Sequence, residues 1–556
     1  MKKKINFFIF YLLIFFSFNL IAEEIDQFIE PEPASEKLKS KKTFLAKDFI
    51  IATANDYATL VGQQIIKDGG NAVDCAIAIQ MVLGLVEPQS SGLGGGLFIT
   101  YFDIKNNRTY SYEGRETSPK KISDDIFLNK EGNPKKFFDA ALGGQSVGVP
   151  ATLKTLKLIH KDFGSMKWRK IIDYVIKFSE KGFVPSPRLI NALKKEKHLF
   201  KLNPNSIFKQ ILNHPKKKFV NEGYTKTLRA ISKNPSDFYN GKIAKDIIKT
   251  VNKSINPGLL NADDFQSYRS KKQLAFCYKL DNSLTLCGPN LPSSGTICLA
   301  QALIIYEHIL KNSKSVNLNQ ILSILDFIYY LRSKNLADPD FVKIDYEFLL
   351  NKKKLLEDFE IFKKNFKKVK SVNANELLNS TTHFSVIDKK GNVVSATSSI
   401  ESSFGSRLFT NGFFLNNQLT DFSFKSRDEN NKLIKNRPEG GKRPLSSMSP
   451  IIILDKNKKP ILTIGSPGGK AIISYVFRVL IDIFYNNLGI YQSIQNPNYI
   501  KINGKIYLEN KKLKNQVSNI NPIIRKLTSG LAVIKKTKTG FVGVADPRRD
   551  GSVRGE

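Results

Sequence analysis

Apolar positions recur along the chain in two rhythms, and the changes of rhythm mark its elements. "DFIIATAN" (48–55) is a short continuous apolar run that predicts a buried strand. From Thr59 to Leu85 the spacing is helical, broken by "DGGNAVD". Gly69 and Gly70 can end one helix, Asn71 can cap the next, and Asp74 falls in its first turn. "SSGLGGGLFITYFD" predicts a glycine loop feeding a strand. Residues 150–270 read as mainly helical, with Pro150 suited to a first turn. Residues 273–289 read as strand, and "PSSGTICLAQALIIYEHIL" opens another helix. The stretch 351–379 is charged and polar. "GSPGGKAIISYVFRVLIDIFYN" is a glycine turn opening a helix, and "AVIKKTKTGFVGVADPRRDG" contains a strand hairpin. Strands and helices come in blocks, with no internal repeat. That pattern predicts sheets sandwiched by helices rather than a doubly wound parallel sheet.

One hairpin carries unusual chemistry. "HFSVID" and "NVVSATSS" alternate as strands, joined by "DKKGN" with its glycine turn. A turn centred near Lys390 makes Thr381 and Ser399 cross-strand neighbours and puts Glu401 on the same face; a bulge would shift that register by one. The plainer reading is a solvated hydroxyl pair on an edge strand. The functional reading needs a base, since a threonine hydroxyl is a poor nucleophile. Only His383 is near in sequence. A second base appears if the chain is cut before Thr381, because the new α-amine, with a pKa of about 7.7–8, can take the hydroxyl proton itself.

Composition narrows the class. The chain has 556 residues, 41% of them hydrophobic, enough for a large core. Its formal charge of +36 comes mostly from lysines scattered along the chain. No nucleic-acid module or clustered Arg-aromatic face accompanies them, so nucleic acid is not the expected partner, although acidic peptides or lipid headgroups suit such a surface. The start, "MKKKINFFIFYLLIFFSFNLIAEEID", has a basic n-region, an apolar run and Ala22 before two glutamates. Residues 1–22 are therefore expected to be an export signal, and the chain periplasmic. Bulky Leu20 leaves an uncleaved anchor open.

The four cysteines and five histidines show no metal-ligand spacing, so no metal is expected. Cys277 and Cys287 flank a strand–turn–strand segment; a disulfide across it and two buried free thiols are both open. "GQSVG" (144–148) matches a nucleophile-elbow pattern without the strand before it or the helix straight after. "GLGGG" (93–97) precedes a strand, where a dinucleotide fingerprint follows one. "GSPGGK" lacks phosphate-loop spacing; it is either a tight turn or a pair of N–H groups at a helix start able to hold an oxyanion.

Taken together, "GGNAVDCAIA", "EPQSSGLGGG", "GRETSP", "GVPATLKTLKLIHKDFG", "DFYNGKIA", "GPNLPSSG", "ADPDFV", "TTHFSVID", "LNNQLTDFS", "KRPLSSMSP" and "GSPGG", in this order, resemble the γ-glutamyltranspeptidase (glutathione hydrolase) family. The resemblance implies an α+β fold, the αββα sandwich of the N-terminal nucleophile hydrolases. It implies a precursor that cuts itself between Ser380 and Thr381 into a large subunit (23–380) and a small subunit (381–556) that stay together. Thr381 is then the nucleophile, Ser399 orients it, and Gly468 and Gly469 form the oxyanion hole. Arg115, Ser446 and Ser447 would take the substrate α-carboxylate, and Asp421 with Gln418 the α-ammonium. No cofactor is implied; the partners are glutathione or other γ-glutamyl compounds, and water, amino acids or peptides as acceptors.

Two departures stand out. Glu401 occupies a position where many members have asparagine, and this second carboxylate is expected to bind the substrate, strengthening ammonium binding or altering side-chain preference; the segment between Asp421 and Arg443 is short and lacks tyrosine, so the acceptor side is expected to be open. Alternative readings are a related amidase acting on glutaryl β-lactams or poly-γ-glutamate, and an uncleaved inactive homologue acting as a basic binding protein.

Overall fold

Strands too apolar to face water on either side need cover on both, and the computed structural model supplies it. It describes residues 43–365, 380–517 and 521–556; the expected export signal lies outside them. One seven-stranded sheet contains β1 (Phe44–Ala46), β6 (Phe276–Lys279), β7 (Thr285–Gly288), β10 (Ile451–Leu454), β11 (Pro460–Ile464), β12 (Ala532–Thr537) and β13 (Gly540–Ala545), in spatial order β1-β13-β12-β11-β10-β7-β6. The other contains β2 (Ile50–Thr53), β3 (Gly96–Asp103), β4 (Arg108–Gly114), β5 (Lys271–Leu274), β8 (Ser380–Ile387), β9 (Val393–Glu401) and β14 (Ser552–Gly555), in order β14-β2-β8-β9-β3-β4-β5. Every pairing in both is antiparallel.

The two sheets face each other through a core that includes Ile50, Phe102, Ile387, Val393, Ile452 and Ile534. Helices cover both outer faces. Asp56–Lys67 and Ala72–Val86 pack on the second sheet through residues such as Ile77, Leu97, Phe384 and Val394, and Trp168–Lys181 packs on Ala72–Val86. Gly295–Asn312 and Ile472–Phe484 pack on the first through Leu286, Ile451, Leu462 and Val533, and Leu318–Asn335 packs on Gly295–Asn312. This is the expected αββα sandwich. Each large side chain so buried stabilises the fold by about 1.5–3 kcal/mol relative to exposure. Both sheets take strands from either side of Thr381, so the segments before and after it share one core.

Several local expectations hold for stated reasons. The "DGGNAVD" break is a helix end followed by a capping box in which Asn71 and Asp74 satisfy each other's backbone N–H groups. Cys277 and Cys287 are directly opposed across β6 and β7 and form a disulfide; Cys75 and Cys298 are buried free thiols. One alternative falls: the Thr381 hairpin is not an edge. β8 and β9 lie in the middle of their sheet and every residue of both is buried.

Candidate active site

The β8–β9 hairpin keeps the expected register from Ile387↔Val393 to Thr382↔Ser398, then slips, so that Ser380 faces Glu401 and Thr381 occupies the irregularity. A bulge frees the backbone from the ladder and re-aims side chains. Here it turns the Thr381 hydroxyl back on its own peptide. Thr381 Oγ1 donates to the carbonyl oxygen of Ser380 at 2.6 Å and lies 3.1 Å from Ser399 Oγ. Ser399 Oγ also reaches the Ser380 oxygen, at 2.7 Å, and accepts the Glu401 N–H at 2.9 Å. Two hydroxyls thus converge on the carbonyl of one peptide bond. Ser380 is anchored from its other side, its hydroxyl donating to the Gln89 carbonyl at 2.7 Å.

The glycine loop before β3 explains how β9 comes so close. A Cβ on Gly95 would lie 2.1 Å from the Ser399 carbonyl oxygen, and one on Gly94 would lie 2.0 Å from that of Phe414. Those glycines serve backbone approach rather than a phosphate.

His383, the sequence-adjacent base, is unsuited to that role. It is fully buried; Nδ1 lies 2.8 Å from Thr397 Oγ1 and Nε2 lies 3.3 Å from Ser385 Oγ, which continues to Thr463 across the sheets. Burial pushes its pKa down to about 3, so the ring is neutral and structural. Gly465 makes room for it: a Cβ there would lie 2.3 Å from Cε1.

Next to this centre lies a charged cluster. Arg115, fully buried at the end of β4, donates Nη2 to Asp421 Oδ2 at 2.6 Å and to the Leu445 carbonyl at 3.1 Å, while Nε reaches the Pro444 carbonyl at 2.9 Å. Gln418 Nε2 also donates to Asp421 Oδ2, at 2.8 Å. The expected carboxylate and ammonium ligands are therefore paired with each other. Arg115 Nη1, Ser447 Oγ and Gln418 Oε1 are buried with no hydrogen-bond partner among the described residues. Buried donors seldom stay unmatched, and Nη1 and the Ser447 hydroxyl are each donors of the kind a carboxylate accepts from.

Ser446 is held by the segment that follows β7, the strand paired with the one Ser446 leads into. Its N–H donates to the Pro292 carbonyl at 2.8 Å, and its carbonyl accepts from Ser294 N–H and Oγ. Its own hydroxyl accepts the Met448 N–H at 3.2 Å. Glu401 is buried at the end of β9 and accepts from Asn417 Nδ2 at 2.5 Å. Burial first, and then the charge of Asp421, raises its pKa to about 8.

Gly468 and Gly469 have φ of +131° and +55° and open a 310 turn leading into the helix Ile472–Phe484. The first N–H groups of such a turn have no acceptor within the helix. Pro467 and Arg549 both come close to Gly530, and Arg549 Nη1 donates to the Thr381 carbonyl at 2.9 Å.

Arg549, Gln89 and Asn417 were not singled out by sequence. "DPRRDG" and "EPQSSG" recur in position around the site, but their role rests on contacts with distant strands. Glu116 was also missed. It is buried beside Arg115, with Oε2 3.8 Å from Nη1, and burial raises its pKa to about 8. Ser146 of the elbow-like motif is spent on the Ala141 and Gly143 carbonyls.

Comparison with known proteins supplies the family. The family model described as gamma-glutamyltranspeptidase matches residues 58–555. The chain is 30% identical to the glutathione hydrolase proenzyme of Bacillus subtilis over 93% of its own length and 92% of the relative's. It is 33% identical to that of Escherichia coli over 82% and 81%. Among solved structures, a cephalosporin acylase from Bacillus halodurans superposes with a TM-score of 0.77 over 93% of this chain and 97% of the other, at 20% identity, a likeness of fold. With the family model matching most of the chain, including the hairpin that carries Thr381, the chain is an enzyme of the gamma-glutamyltranspeptidase family.

Proposed function

We propose that the chain is exported to the periplasm, cuts itself between Ser380 and Thr381, and then, as a two-subunit enzyme, transfers or hydrolyses γ-glutamyl groups of glutathione and related amides. The observation that carries this reading is the Thr381 hydroxyl on the carbonyl of its own preceding residue, with Ser399 on the same oxygen.

In self-cleavage, Thr381 Oγ bonds to the Ser380 carbonyl carbon and the C–N bond breaks. The Thr381 nitrogen keeps the hydroxyl proton, and water hydrolyses the resulting ester. The freed amine then takes the Thr381 hydroxyl proton as the oxygen attacks a substrate γ-carbonyl. A γ-glutamyl-threonine ester forms and passes to water, an amino acid or a peptide. The N–H groups at Gly468 and Gly469 stabilise the tetrahedral oxyanion. Arg115 and the Ser446–Ser447 hydroxyls take the substrate carboxylate, and Asp421 takes the ammonium. Two carboxyl groups near that ammonium favour γ-glutamyl over glutaryl substrates.

The test is N-terminal sequencing of the smaller fragment on a denaturing gel, alongside glutathione turnover. The small fragment is expected to begin at Thr381, and Thr381→Ala to leave one uncut, inactive chain. Turnover by an unbroken chain would refute the mechanism.

A further inference from the structure

We propose that Glu401 gives up a proton when the amino-acid head of a ligand enters the site, tying binding to proton release. The inference rests on the γ-glutamyl reading above. The Glu401 backbone is in the left-handed region, φ +78°, which disfavours a glutamate and which surrounding structure must enforce. It is enforced by pairing with Ser380 and by the N–H bond to Ser399 Oγ. The side chain is fixed as firmly. Asn417 Nδ2 holds Oε2 and bonds Thr420 Oγ1, while Asn417 Oδ1 accepts both the N–H and the hydroxyl of Ser402 at 3.0 Å. With the residue only 2% exposed, the carboxyl has little water to solvate a charge.

Among the described residues, two charged groups, Asp421 and Arg407, act directly on this carboxyl, and Arg115 is tied to it through Asp421. Asp421, from the 310 turn Gln418–Asp421, opposes ionisation of Glu401. Arg407, from the loop after β9, favours it but is shared with Glu196 at 3.0 Å and with the Ser402 hydroxyl. Arg115, from the end of β4, is spent on Asp421. The carboxyl, raised to about 8, is therefore mostly protonated at neutral pH in the free protein.

An entering amino-acid head changes that balance. Its carboxylate draws on Arg115, and its ammonium replaces the guanidinium as the partner of Asp421, so a new positive charge enters the pocket. An opposite charge within a few ångströms favours the ionised carboxyl. The Glu401 O–H bond breaks, the proton passes to solvent, and no bond of the ligand changes. Affinity for a zwitterionic head then rises with pH up to about 8 and levels off above it. Glutarate, with no ammonium, brings no such charge.

The experiment is calorimetric titration of L-glutamate into the purified protein at pH 7 in two buffers of different ionisation enthalpy, repeated with glutarate and with Glu401→Gln. The wild type is expected to release about half a proton or more per site, glutarate to release none, and Glu401→Gln to bind glutamate without release. Binding of glutamate with buffer-independent heat, or unchanged release in Glu401→Gln, overturns the assignment. The wild-type comparison of glutamate with glutarate stands even if the variant does not fold. Absence of any glutamate binding, together with no protection against γ-glutamyl anilide hydrolysis, would instead sink the γ-glutamyl reading itself.

Discussion

Arg549 donates Nη1 to the carbonyl oxygen of Thr381 at 2.9 Å, although the two residues are 168 positions apart. Burial lowers the arginine to about 10, which still leaves it charged at neutral pH. A buried hydrogen bond from a charged donor contributes about 1.5–3 kcal/mol. Arg549→Met is therefore expected to slow self-cleavage by about 10- to 100-fold, with Arg549→Lys intermediate. The check is the rate at which two fragments appear on a gel, with thermal unfolding measured separately.

Ser399 should behave as a donor rather than a spacer. Its hydroxyl polarises the Ser380 carbonyl and sits against the Thr381 oxygen. Removing one such preorganised donor costs about 100- to 1,000-fold in rate. Ser399→Ala is expected to lose cleavage and turnover to that extent, while Ser399→Thr retains most of both. Equal loss in the two variants would point to packing instead.

His383 is expected to report on stability, not on catalysis. Its folded pKa, about 3, lies below an unfolded value of about 6.5. The unfolded state therefore binds a proton that the folded state does not. The contribution is full above about pH 6.5 and is lost at about 1.4 kcal/mol per pH unit as pH falls toward 3. Urea unfolding against pH should show this slope, and His383→Gln should lack it. The alkaline rise of activity should instead follow the Thr381 amine.

The Cys277–Cys287 disulfide closes a loop of 10 residues in sequence separation. Chain-entropy reasoning gives about 2–3 kcal/mol for such a loop. Cys277→Ser with Cys287→Ser is expected to lower the unfolding free energy by that amount. Because β7 leads into the segment that holds Ser446 through Pro292 and Ser294, KM should rise more than kcat falls. Steady-state kinetics on the double variant separate the two.

Gly95 cannot carry a side chain where it stands, since its Cβ would meet the Ser399 carbonyl oxygen, a backbone atom without freedom to move. Gly95→Ala should push β9 off the hairpin register and block self-cleavage while leaving most helical structure intact. Circular dichroism and a denaturing gel would show both.

Much of this was legible in the sequence because it is encoded locally. The hairpin arithmetic placed Ser399 opposite Thr381, and the hydroxyls lie 3.1 Å apart. The capping of Asn71 by Asp74 and the opposition of Cys277 to Cys287 followed from spacing of the same kind. The slip that lets Glu401 face Ser380 was not fixed by the pattern, because a bulge leaves the alternation of apolar and polar residues intact on either side.

By itself the sequence determined the element order, the strand register of the hairpin from its turn back to Thr382 and the family, since periodicity, turn residues and motif order are properties of neighbouring positions. Only the tertiary structure decided what the reactive groups touch. Arg115 meets Asp421 across 306 positions, Ser380 meets Gln89 across 291, and His383 is neutral because Gly465 and the facing sheet close over it. Those contacts arise where two sheets and their helices pack. Burial there sets the charge of each group, and no local pattern along the chain records which distant residue will be its partner.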